Sequence, residues 1–133
     1  RELRSWPSPP EGRFSKIVGA HASDPDLVLV LLETPDGTRA ASFALSTGAV
    51  RIALMDLKDE MIARLTQSTR VYGERVVRTV GHSGGEAAQT DVRLQIAPDK
   101  PDINISSCPA QTTCGHGSLS PNGERLLYVR QEP

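Results

Sequence analysis

Residues 27–32, LVLVLL, are an unbroken apolar run of six. That length suits a β-strand and is short for a helix. Two of its members are valines, whose stiff χ1 favours a pleated backbone. Because the run does not alternate, both faces need cover, and it reads as a central strand. Glu33-Thr34-Pro35-Asp36-Gly37 follows. Proline presets φ for a turn there, and glycine supplies positive φ at little steric cost. From Thr38 the chain alternates, with Arg39, Ala41, Phe43 and Leu45 on one face and Ala40, Ser42 and Ala44 on the other. Ser46-Thr47-Gly48 turns it again, and Val50, Ile52 and Leu54 line one side of a third strand. Residues 27–55 are thus a three-stranded meander that the rest of the chain must cover.

Weaker signals fill in the remainder. Residues 14–20 predict a first strand, with Phe14, Lys16 and Val18 opposite Ile17. Residues 70–80 and 90–97 predict a second hairpin, with a bulge at Gly73. Val92, Leu94 and Ile96 alternate with Asp91, Arg93 and Gln95, the mark of a strand with one wet face. Residues 103–105 suggest a short edge strand, followed by a loop carrying both cysteines. A turn at Pro121-Asn122-Gly123 then leads into a strand over 124–130.

One helix is expected, from Asp56 to Gln67. Asp56 would be its N-cap, Asp59 and Glu60 would sit in its first turn, and Leu57, Met61, Ile62 and Leu65 would form its apolar stripe. The expected fold class is mainly β. An antiparallel meander and hairpins would form a sandwich, a barrel or propeller-like sheets, with that single short helix. Residues 1–12 hold three prolines and no periodic pattern, the composition of a linker or tail. Trp6 is read as docking this tail onto the body. Residues 13–133 form one β-rich domain.

Charge narrows the function classes. Fifteen Lys and Arg balance sixteen Asp and Glu, so no basic footprint marks a nucleic-acid surface. Aromatics are 4%, too few for base-stacking platforms. No apolar run approaches the roughly 20 residues that span a bilayer as a helix. Cys108 and Cys114 are the only cysteines, six positions apart in SSCPAQTTCGHG. An even pair in such a segment suits a local disulfide and an extracytoplasmic location, periplasmic or secreted. The alternative is two reduced thiols in a cytosolic loop.

Two motifs bear on chemistry. Gly81-His82-Ser83-Gly84-Gly85 fits G-x-S-x-G, which would make Ser83 a nucleophile with His116 and Asp91, Asp99 or Asp102 as partners. The segment after it is too short for the helix such an elbow requires, and a glycine-rich hairpin tip explains the same residues. Cys108, Cys114 and His116 form C-x5-C-x-H, with His21 or His82 as a fourth ligand to zinc. Structural zinc pairs are usually tighter, at two to four intervening residues. No P-loop, dinucleotide fingerprint or EF-hand loop is present, so neither a metal nor a cofactor is expected.

Two turns share the pattern [ST]-P-[DN]-G-x-R-apolar-apolar, at Thr34-Pro35-Asp36-Gly37-Thr38-Arg39 and Ser120-Pro121-Asn122-Gly123-Glu124-Arg125. Their offset of 86 residues is twice 43, and propeller blades repeat every 40 to 45 or so. SPNGERLLYV, from Ser120 to Val129, resembles the repeat of TolB-type β-propellers, with Asn122 where that family usually has aspartate. The resemblance implies blade-like sheets and, given the length, a share in a larger assembly. The function expected is a non-catalytic extracytoplasmic β-domain that contacts another protein, as part of a larger envelope or secreted protein. A hydrolase using Ser83 and a small zinc-binding domain are the alternatives.

Overall fold

The computed structural model describes residues 4–21, 23–58, 60, 62–63, 68–81, 90–109 and 112–131. Among them the chain is mainly β, with ten strands in two sheets. β1 (Arg13–Ala20), β2 (Leu27–Thr34), β3 (Gly37–Ala44) and β4 (Val50–Asp56) pair antiparallel in sequence order. The second sheet is built from β5 (Thr69–Tyr72), β6 (Arg75–Gly81), β7 (Thr90–Gln95), β8 (Ile103–Asn104), β9 (Thr113–Leu119) and β10 (Leu126–Gln131). Its order is β10-β9-β7-β6-β5, with β8 added beside β7. Only β7 and β9 run parallel. Neither sheet closes on itself, so the architecture is sandwich-like and not a barrel.

The expected central strand is β2, paired on both sides. Val28, Val30 and Leu32 meet Ile17, Ala41 and Phe43 in the first core. Each of these side chains except Ala41 contributes about 1.5–3 kcal/mol by leaving water. On the other face Leu31 is fully buried while Leu29 is 38% exposed, so the second layer of cover is local. Trp6 does dock as expected. Its ring meets Phe43 edge-on at 5.8 Å, and its Nε1–H donates to the Leu45 carbonyl at 3.2 Å. Phe14 adds a second edge-on contact to Phe43 at 5.2 Å.

Val77, Val92, Cys108, Cys114 and Leu119 form a second core. β10 belongs to both. Leu126 and Tyr128 pack on the second core, and Leu127 and Val129 pack on the first. Strand alternation makes this division automatic, since successive side chains point to opposite faces. β1 lies against β9 and β10, which is where the two sheets meet.

Several expectations change. Asp56 ends β4, so it is no N-cap; strand pairing with Arg39 claims its backbone instead. Glu60, Ile62 and Ala63 are helical, and residues 59, 61 and 64–67 of the expected helix lie outside the described residues. Gly73 makes no bulge. At φ 64° it starts the two-residue turn between the paired Tyr72 and Arg75. Residues 70–80, expected as one arm of a hairpin, are accordingly two strands. Asp91, on the face expected to be wet, is 2% exposed.

The largest difference concerns the cysteine loop. Its second half, from Thr113, is β9, an inner strand of the second sheet. A Cβ on Gly117 would lie 2.7 Å from Val77 Cγ1 and 2.8 Å from Val92 Cγ1, and one on Gly115 would lie 3.0 Å from Thr79 Cγ2. Glycine therefore marks close approach of neighbouring chains here, not a loop.

Candidate functional site

The seam between the sheets carries the chain's most unusual chemistry. Leu127 pairs with Ser118 and Val129 with Gly115, so His116 and Gly117 together face one residue of β10. That is a β-bulge, and it holds His116 at φ 57°, a conformation uncommon outside glycine. The His116 N–H donates to Thr79 Oγ1 at 3.0 Å across to β6. Burial, followed by the charges of Lys16 and Arg70, lowers the His116 pKa to about 4, so the imidazole is neutral at neutral pH. Among the described residues the buried Nδ1 has no hydrogen-bond partner.

Arg70 staples the two sheets. From β5 its guanidinium donates to the Val18 carbonyl at 3.2 Å and also to the Ile17 carbonyl. Pairing of β1 with β2 slips between Ile17 and Gly19, and this irregularity lies where Arg70 reaches the strand.

Beside this staple is a cleft of about 270 Å³ lined by Ser15, Thr79, Thr90, Thr113, His116 and Gln131, with Gly115 and Val129 completing its wall. Five different strands supply these residues. A second, wider groove of about 570 Å³ lies at the far end of the second sheet, among Tyr72, Arg75, Ile96, Leu119 and Pro121. Arg75 Nη1 closes one side of it by donating to the Gly123 carbonyl at 2.9 Å. Next to the groove, Val71 on the outermost strand is 68% exposed, and Ile96 is 49% exposed.

The residues singled out from sequence fare differently. Cys108 and Cys114 form a disulfide with Cα atoms 6.0 Å apart, which points to an oxidising compartment. With both sulfurs so engaged, the C-x5-C-x-H set has no thiolates to offer a metal. Among the described residues no three His, Cys, Asp or Glu side chains come together. Ser83 and His82 lie outside the described residues. No described hydrogen bond joins His116 to a carboxylate, and Asp102 is paired with Arg93 at 3.2 Å. His21 is a local turn element, its Nδ1 accepting from the N–H groups of Ser23 and Asp24 at 3.2 Å each.

In the sequence His116 reads only as a triad or zinc partner. The available signal was its place between Gly115 and Gly117, a pattern that admits a bulge in a tightly packed strand. The threonines and Ser15 carried no signal, because they are scattered over a hundred residues. What fold and seam define is a disulfide-bonded, two-sheet β-domain with a polar cleft at the junction. The chain matches no protein-family model, no curated protein and no solved structure.

Proposed function

We propose that this chain is a non-catalytic β-domain of the periplasm or the secreted milieu that acts by contact with another protein. The observation that carries this reading is Val71, 68% exposed on β5 at the edge of the second sheet. Among the described residues no strand pairs with the outer side of β5. An open edge bearing an apolar side chain is a template for strand addition, and proteins without a partner usually blunt it with charge or proline. The neighbouring groove would hold side chains of the added segment, with Tyr72 and Ile96 as its apolar floor. A photo-crosslinker at Val71, in the protein's native compartment, should capture one partner, and the same label at Thr47 should not. Val71→Lys should weaken that complex by about tenfold or more while leaving the fold intact. Equal capture at both positions would sink the proposal. Specific labelling of Ser83 by a serine-reactive phosphonate in folded protein would replace it with a hydrolase reading.

A second reading has its own support. The first sheet is a four-stranded antiparallel meander in sequential order, the composition of a propeller blade. We infer a TolB-like blade ancestry from this together with the Ser120-Pro121-Asn122-Gly123 turn. The two similar turns close differently: Thr34 pairs directly with Gly37, whereas the Ser120 N–H reaches the Arg125 carbonyl at 2.8 Å. Electron microscopy of the assembled native protein should reveal a ring of blades; two sheets standing alone would refute the blade reading.

A further inference from the structure

We propose that the cleft at the sheet junction is a binding site for a small oxyanion, a carboxylate- or phosphate-type group. The donor set of the cleft supports this independently of the partner-contact reading. Ser15, Thr113 and Gln131 make no side-chain hydrogen bond with any described residue, although all three line the cleft. Thr79 Oγ1 accepts from the His116 N–H, which leaves its own proton to donate outward. Thr90 is the exception: its hydroxyl is spent on the Cys114 carbonyl at 2.9 Å, and it acts as a wall. Among the described residues, three hydroxyls and one amide are therefore left to donate into one concave space.

The electrostatics of the cleft favour an anion as well. Among the described residues no carboxylate lines the cleft, and the charged groups that lower the pKa of its histidine are the cations of Lys16 and Arg70. Lys16 comes from β1 and Arg70 from β5, strands of different sheets. A neutral polyol gains nothing from that potential, whereas an oxyanion gains from the donors and the field together. Size is consistent. A water molecule occupies roughly 30 Å³ of liquid, so about 270 Å³ accepts an ion of a few heavy atoms with some of its hydration. The backbone shape that makes the cleft needs Gly115, where a Cβ would press on Thr79 at 3.0 Å.

The test is a two-dimensional NMR titration of the whole chain with inorganic phosphate and, separately, acetate, at constant ionic strength set with chloride. Saturable shifts should appear at Ser15, Thr79, Thr113, His116 and Gln131, at concentrations up to about ten millimolar. A bound anion favours the protonated ring, so phosphate should move the His116 titration up from about 4. Thr113→Val and Gln131→Leu should each weaken binding by about tenfold with an unchanged spectrum elsewhere. Saturation by phosphate alone would identify the phosphate class, and saturation by acetate as well would identify carboxylates. Shifts that do not saturate, that chloride reproduces, or that glucose alone produces would overturn the proposal.

Discussion

At the scale of single residues, two side chains at the seam govern how the sheets hold together. Arg70 satisfies two β1 carbonyls with one charged group, and removing it leaves both without that partner. Hydrogen bonds to charged donors are worth about 1.5–3 kcal/mol. Arg70→Ala should therefore lower unfolding free energy by about 2 kcal/mol or more in urea melts, and Arg70→Lys should recover only part, lacking the planar fork. His116 makes stability depend on pH. Its folded pKa of about 4 lies below the ordinary 6.5, so the unfolded chain binds the proton more readily. Stability from this residue is complete above about pH 6.5 and declines as pH falls through the interval down to about 4. His116→Asn tolerates the same positive φ but does not titrate, and its stability profile should be flatter over that interval. Identical profiles for the two proteins would remove the histidine from the account.

At the scale of elements, β9 and the disulfide ahead of it decide the second core. Gly117→Ala would thrust a methyl into Val77 and Val92, both almost fully buried, and should cost about 1–3 kcal/mol. The disulfide closes a short loop, worth about 2–2.5 kcal/mol by chain entropy. A Cys108→Ser, Cys114→Ser double variant should lose about that much, and the native chain should weigh two hydrogens less than its reduced form.

Elements were also where sequence reading divided most clearly. The run at 27–32 and the alternation after Thr38 announce β2, β3 and β4, because apolar period and turn chemistry agree there. Thr113–Leu119 announces nothing. Its glycines serve packing against β6 and β7, a cause visible only once those strands are in place. Asp91 misleads for a related reason, since alternation assigns a face but not what covers it. The cleft escapes notice because hydroxyl side chains are ordinary on strands, and only tertiary placement gathers Ser15, Thr79 and Thr113 together.

At the scale of the molecule, the two cores share a strand and should unfold as one unit. Trp6 reports on the first core through Phe43, and Val92 lies fully buried in the second. Val92→Ala should cost about 2 kcal/mol, and the tryptophan fluorescence midpoint should shift together with the far-ultraviolet circular dichroism midpoint. A fluorescence transition that stays in place would show that the sheets melt separately.

The place of β10 in the chain gives this sharing a direction in time. Neither core has its last cover until residues 126–131 arrive, since Leu126 and Tyr128 complete one and Leu127 and Val129 the other. A chain emerging from its N-terminus, from a ribosome or through a membrane pore, therefore exposes two unfinished apolar surfaces until its tenth strand appears. Long-range closures of this kind are slow. The waiting interval is when the edge of β5, beside which no strand pairs among the described residues, is most open to strand addition by another chain.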